Sequence, residues 1–313
     1  MRIHRTYRTH TVGIGVALTA LLMASQAVFA EPAAKGPRLD RTTTSGVGPV
    51  FGAYDPSGAF GKDKQVGIEH LFLPWQDVDL TTLKDAEAYA KERGRSLIIT
   101  VEPWTWSKEW RTSAKQLKDG VISGAHDENM AAICRIVGTF DIPVTIRWGH
   151  EMEDKSGQFT WANWKPEDYI KAYRHVVDVC RKEAPNAKFM WSPIGEKGLE
   201  AYYPGDKYVD TVGLSVFGLQ KYDRDETGKD RSFAELLDPK YARVARFRKP
   251  VVVAEYGCSG DEQYVEKCFE GSKRADQNAP DLKAVVYFND KEVYPWPNNY
   301  GLPDWRVKKD LIN

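Results

Sequence analysis

The chain is expected to be an α/β protein whose strands close into one (β/α)8 barrel. Three observations carry that expectation. Eight short apolar runs rich in β-branched residues recur along residues 47–313. Most are continuous rather than alternating, which suits parallel strands buried on both faces. Helical periodicity fills many of the intervals between them, so strand and helix take turns. The other arrangement compatible with that alternation is a doubly wound open sheet. Such a sheet usually carries a glycine-rich phosphate turn after its first strand, and Gly52-Ala53-Tyr54-Asp55-Pro56 has no such pattern.

The expected strands are Val50–Tyr54, Ile68–Phe72, Leu97–Val101, Val144–Trp148, Lys188–Trp191, Thr211–Val216, Val251–Ala254 and Ala284–Phe288. After the second, Leu83, Ala86 and Ala90 form a helical face that Gly94 closes. After the third, Met130, Ile133, Cys134 and Val137 form another. The clearest helix runs from Pro166 to Lys182, with Tyr169, Ile170, Tyr173, Val176, Val177 and Cys180 on one side. Pro166 suits its first turn, and Glu167 and Asp168 suit the positive end. Arg181 and Lys182 suit the negative end, and Pro185 stops it. No internal repeat, low-complexity tract or linker divides residues 47–313, so a single domain is expected.

Composition narrows the function classes. The 313 residues hold 44 basic and 44 acidic side chains, with 42% hydrophobic and 28% charged residues, an ordinary globular balance. A net charge of zero argues against nucleic-acid binding, which needs a basic surface for phosphates. Arg2, Arg5 and Arg8 precede an apolar run, Val12 to Ala24, that ends at Val28-Phe29-Ala30. That is the pattern of a secretory signal peptide over residues 1–30, and the run is too short to span a bilayer. Residues 31–46 read as a flexible lead-in. Without the leader 283 residues remain, with 41 basic and 44 acidic side chains and a net charge of −3. A secreted or periplasmic, monomeric protein is expected, with no membrane contact once the leader is removed.

Export permits disulfides. Cys134, Cys180, Cys258 and Cys268 allow three connectivities. Cys134 with Cys180, on consecutive helices, and Cys258 with Cys268, close in sequence, form one reading. Four buried free thiols form the other.

In a barrel, chemistry sits at the C-terminal ends of the strands. Two carboxylates follow apolar strands there, Glu151 and Glu255. A charge in that place is costly without a partner or a task. Two carboxyl groups across a cleft are the apparatus of glycoside hydrolysis: one protonates the leaving oxygen, the other attacks the sugar carbon. Arg147 is placed to hold one of them ionised, and His150 to bond substrate or fix a neighbour. Nine of the ten tryptophans end or follow a strand, Trp104, Trp148, Trp161 and Trp191 among them, and are expected to offer stacking faces to a sugar chain. Phe217 and Asn289, after strands six and eight, complete the expected substrate-binding set. No metal site or cofactor is expected: His150-Glu151-Met152-Glu153-Asp154 lacks the second His of a zinc protease helix. The run Asp223-Arg224-Asp225-Glu226 reads as a solvated loop rather than a calcium site.

At these residues the sequence resembles glycoside hydrolase family 26. Arg147-Trp148-Gly149-His150-Glu151-Met152 is similar to that family's strand-four motif, in which His precedes the acid/base Glu. Phe159-Thr160-Trp161 and Pro166-Glu167-Asp168-Tyr169 fit the same pattern. Val253-Ala254-Glu255-Tyr256-Gly257 resembles its strand-seven nucleophile motif, and Tyr203-Pro204-Gly205-Asp206-Lys207-Tyr208-Val209-Asp210 its approach to strand six. The resemblance spans Phe51 to Arg306. It implies a (β/α)8 TIM-type barrel and a retaining endo-β-glycanase acting on β-1,4-mannan, mixed-linkage β-glucan or β-1,3-xylan. Glu151 would be its acid/base and Glu255 its nucleophile. Two positions depart from the family: Glu153 stands where Asn is common, and Phe217 where a strand-six Tyr bonds the nucleophile. Glu102-Pro103-Trp104 looks like the branch linked to β-glucans and bacterial exopolysaccharides. The competing expectations are a catalytically silent glycan-binding barrel, and a hydrolase trimming the cell's own exopolysaccharide.

Overall fold

The computed structural model describes residues 48–105, 107–273 and 279–307. The expected leader and lead-in lie outside the described residues, as does Trp106. Eight strands form a closed, wholly parallel barrel in chain order, β8 pairing with β1, so the open-sheet alternative is excluded. The strands are β1 (Val50–Tyr54), β2 (Val66–Pro74), β3 (Ser96–Glu102), β4 (Val144–Trp148), β5 (Lys188–Trp191), β6 (Thr211–Leu219), β7 (Val251–Ser259) and β8 (Leu282–Phe288). Three match the sequence expectation residue for residue. β6 and β7 run farther than expected because polar and glycine residues, invisible to an apolar count, continue their ladders to Leu219 and Ser259.

The helices are α1 (Thr82–Glu92), α2 (Ala114–Ser123), α3 (Asp127–Val137), α4 (Pro166–Glu183), α5 (Gln220–Thr227), α6 (Phe233–Val244) and α7 (Glu262–Ser272). Capping explains several of their starts. Ser113 opens α2 and Ser232 opens α6 through complete capping boxes with Gln116 and Glu235, each satisfying two otherwise orphaned N–H groups. Asp223-Arg224-Asp225-Glu226 is not a solvated loop: it lies in α5. Asp223 is fully buried there and accepts from Arg231 and from the Tyr264 hydroxyl at 2.8 Å. A burial demand set by α7 and the segment before α6 overrides the local polarity.

Two cores follow from strand alternation. Val50, Ile68, Ile98, Met190, Val252, Ala254, Ala284 and Val286 point inward and plug the barrel. The alternate residues point outward and pack under the helices in one continuous core. Both expected disulfides are formed, Cys134–Cys180 joining α3 to α4 and Cys258–Cys268 joining β7 to α7. The free-thiol alternative is thereby removed. Among the described residues no helix is long and apolar enough to cross a membrane.

One irregularity matters for the site. The β6–β7 register pairs Leu214 with Val253 but Ser215 with Glu255, leaving Ala254 as an extra residue. The β7–β8 register slips in the same place, between Val253 and Tyr256. This β-bulge turns Glu255 toward the interior beside the inward-facing Ala254.

Candidate active site

Glu151 follows β4 through a tight turn. Gly149 and Glu151 both have φ of 55°. For glutamate that left-handed backbone is costly, about 1–3 kcal/mol, and persists where the surroundings enforce it. The enforcing contacts are on view. The Glu151 N–H donates to the Ser192 carbonyl at 2.7 Å. The Tyr169 hydroxyl donates to the Gly149 carbonyl at 3.1 Å, and the Trp161 indole to the His150 carbonyl at 2.6 Å. Trp161 and Tyr169 therefore hold the turn that presents Glu151.

Glu255 lies deeper. Its Oε1 accepts from Arg147 Nη1 at 2.7 Å, and both side chains are 0% exposed. The guanidinium is steered from two more strands, donating from Nε to Ser192 Oγ at 2.8 Å and from Nη1 to Thr100 Oγ1 at 3.2 Å. Thr100 in turn meets His70 Nε2 at 2.7 Å. His70, Thr100, Arg147, Ser192, Ser215 and Glu255 thus form a polar layer above the apolar plug, contributed by β2 through β7. Gly213 is required by this layer: a Cβ there would lie 2.5 Å from Ser192 Oγ.

The two carboxylates are joined through β6. Ser215 Oγ donates to Glu151 Oε1 at 2.5 Å, while the Ser215 backbone is the register partner of Glu255. Glu151, Ser215 and Phe217 line a cavity of about 450 Å³, together with Glu196, Lys240, Arg243, Tyr222, Tyr294, Trp296 and Tyr300. Lys240 Nζ donates to the carbonyls of Ser215 and Ile194, both at 2.8 Å. Burial pulls its ammonium below the usual lysine range, opposed by the charges of Glu196, Glu151 and Glu153. Glu153 is buried against the backbone of Gly195 and Glu196. Its Oε1 accepts the Gly195 N–H at 3.0 Å, and burial pushes its carboxyl up against those backbone bonds.

The expected tryptophan platform is corrected. Trp148, 1% exposed, faces the helices and packs on Tyr169 and Tyr173. Trp191, 0% exposed, packs on Tyr203 and Phe247. Both are outward residues of their strands, which counting from the strand end does not reveal. Trp104 is sandwiched between Phe159 and the Arg111 guanidinium, 3.6 Å above its ring, and donates to Glu102. Trp161 is wholly buried under His150 and Phe159. His150 itself is buried among Phe72, Phe159 and Trp161. Asn289 braces the chain instead, donating to Asp55 and accepting the Val307 N–H.

The aromatic surface at the mouth gathers instead round Phe217 and Trp296, after strands six and eight as expected. Phe217 packs on Trp305, with Trp296, Tyr222, Tyr300, Tyr54, Phe72 and Phe288 in the same cluster. Trp296 and Tyr300 are raised by a hairpin-like segment whose Trp296 N–H donates to the Gly301 carbonyl at 2.7 Å. Asn298, Asn299 and Gly301 turn it with positive φ. Its base is tied by Trp305 Nε1 to Glu292 and by Tyr287 Oη to the Trp305 carbonyl. Pro297, the Asn-Asn pair and Gly301 are the sequence signals for this turn.

Residues 114–250 match the model of glycosyl hydrolase family 26, a span that contains Glu151 and ends before Glu255. Over that span the chain is similar to glycosyl hydrolase family 26. It is similar to a β-1,3-xylanase of a Vibrio species, 31% identical over 121 residues, 36% of this chain and 25% of that protein. It is also similar to endoglucanase H of Acetivibrio thermocellus, 24% identical over 256 residues, 75% of this chain and 26% of that protein. The chain therefore spans about a quarter of the length of these curated relatives. Its barrel superposes on a modular endo-β-1,4-mannanase from Cellulomonas fimi with a TM-score of 0.62 and 17% identity, covering 81% of this chain and 68% of that one. That likeness concerns the fold.

Proposed function

We propose that this barrel is an exported, retaining endo-β-glycosidase of family 26, with Glu255 as nucleophile and Glu151 as acid/base. The observation that carries the reading is the difference between the two carboxylates. Glu255 is ion-paired with a buried guanidinium, which favours the carboxylate form that attacks. Glu151 borders the cavity, where a departing oxygen can reach it, and takes a hydrogen bond from the Ser215 hydroxyl.

In the first step Glu255 attacks the anomeric carbon as the glycosidic C–O bond breaks. Glu151 gives its proton to the departing oxygen. A glycosyl ester on Glu255 results. In the second step Glu151, now a carboxylate, takes a proton from water, whose oxygen attacks the anomeric carbon. The ester bond breaks, Glu255 returns as carboxylate, and Glu151 is protonated again. Retention requires carboxyl groups about 5–5.5 Å apart.

The substrate is a neutral β-linked polysaccharide of the β-1,4-mannan or mixed-linkage β-glucan type. The aromatic wall of Trp296, Tyr222 and Tyr300 supports this, since sugar rings stack their C–H faces on such surfaces. The relatives named above act on β-1,3-xylan, glucan and mannan by their names, which keeps the three backbones in view. Export, to the periplasm or beyond, is supported by the leader pattern of residues 1–30 and by the two disulfides.

A panel of glucomannan, mixed-linkage glucan, β-1,3-xylan and cellulose, assayed for new reducing ends, tests the reading. Glu151→Gln and Glu255→Gln are each expected to lower turnover by at least about a thousand-fold. Full activity in Glu255→Gln would remove the assignment. Tight binding of a glycan by the wild type without any new reducing ends would make the protein a glycan-binding barrel instead.

A further inference from the structure

We propose that Ser215 is a positioning residue for Glu151 and that Lys240 holds Ser215 in place; the proposal rests on Glu151 being the acid/base. Ser215 stands between the two carboxylates by construction. The bulge in β7 makes its backbone the partner of Glu255, and its hydroxyl donates to Glu151 Oε1 at 2.5 Å. Lys240, from α6, donates to the Ser215 carbonyl at 2.8 Å. Its second bond, to the Ile194 carbonyl, ties β6 to the rim of the cavity beyond β5. The backbone that carries this hydroxyl is therefore held by the β7 ladder on one side and by Lys240 at its carbonyl.

The consequence is chemical. An oxygen that accepts a hydrogen bond from Ser215 is the carbonyl-like oxygen of the protonated acid, because a carboxylic hydroxyl oxygen is a poor acceptor. Donation to Oε1 leaves the transferable proton on Oε2. The same bond fixes a flexible glutamate side chain whose backbone is already held left-handed. Proton delivery to the leaving oxygen then occurs from one oxygen in one orientation, which is what general acid catalysis demands. Ser215 therefore contributes to the step in which the leaving group needs a proton and contributes little when it does not.

The test compares Ser215→Ala, Ser215→Thr and Lys240→Met with wild type on two aryl β-glycosides of the disaccharide that wild type releases from its polysaccharide. One carries a phenol leaving group, which needs protonation. The other carries 2,4-dinitrophenol, which departs without it. Ser215→Ala is expected to lose about ten- to hundred-fold in kcat on the phenyl glycoside, with KM little changed. Its first-turnover release of dinitrophenol should stay within about three-fold of wild type. Ser215→Thr, which keeps the hydroxyl, restores a substantial part of the loss, and Lys240→Met shows the same leaving-group pattern as Ser215→Ala. Equal losses on both substrates, or no loss on either, would overturn the proposal. If wild type cleaves neither glycoside nor any polysaccharide, the acid/base assignment falls first and the proposal with it.

Discussion

At the residue scale, the same side-chain type serves opposite ends. Trp191 is an outward strand residue sealed against Tyr203 and Phe247, whereas Trp296 stands half-buried on the cavity wall. Trp191→Ala is expected to cost about 3–5 kcal/mol in unfolding free energy, as truncation of a core aromatic does. Trp296→Ala should cost far less stability and instead raise KM for polysaccharide several-fold. Urea unfolding and steady-state kinetics on the two variants check this. The reverse pattern would return Trp191 to the substrate. Glu151 and Glu255 stand out in the sequence because each is a charge following an apolar run. Ser215, Thr100, Ser192 and His70 do not, because short polar residues inside strands read as ordinary composition. Only the closing of the barrel shows that Ser215 meets Glu151, that Thr100 and Ser192 meet Arg147, and that His70 meets Thr100. Phe217 was named from the sequence, but its place on Trp305, over Gly257, follows from three-dimensional packing. A Cβ on Gly257 would lie 3.1 Å from both.

At the element scale, periodicity did most of the work. Apolar runs marked all eight strands, and the 3.6-residue spacing marked α1, α3 and α4 to within about three residues. α5 escaped because its sequence is almost wholly polar. What holds it is the burial of Asp223 against Arg231 and Tyr264. The bulge in β7 was likewise beyond reach, since nothing in Val253-Ala254-Glu255 marks an extra residue, and only the register against β6 and β8 exposes it. That single insertion sets Glu255 beside Ser215. The disulfide between α3 and α4 closes a loop of sequence separation 46 across helices that pack directly. In the chain-entropy view a loop of that size is worth about 4 kcal/mol.

At the scale of the whole molecule, the barrel separates chemistry from support. The mouth carries the cavity. Toward the start of β2 and β3 lies a buried ion pair, Arg95 to Glu69 at 2.8 Å, with Arg95 also donating to the carbonyls of Phe60 and Asp63. Burial outweighs the guanidinium and pushes the Glu69 carboxyl up from 4.5 to about 7. A raised carboxyl binds its proton more tightly in the folded state than in the unfolded. Its contribution to stability is therefore full below about pH 4.5 and is lost as pH rises through about 7. Unfolding free energy, followed by urea titration from pH 4 to pH 8, should carry this downward slope in wild type and lose it in Glu69→Gln. The slopes are the quantity to compare, since Glu69→Gln also leaves Arg95 buried without its partner and lowers stability throughout. An unchanged slope would show that Glu69 does not titrate in this window.

The central claim is that Glu255 forms a glycosyl ester which Glu151 then helps to hydrolyse. The stereochemistry of the first product reports on it directly. Proton NMR of the earliest sugars released from glucomannan or mixed-linkage glucan should show new reducing ends in the β-configuration, converting to the equilibrium mixture only by mutarotation. New ends that begin as the α-anomer would mean single displacement by water, and would contradict Glu255 as nucleophile and Glu151 as acid/base.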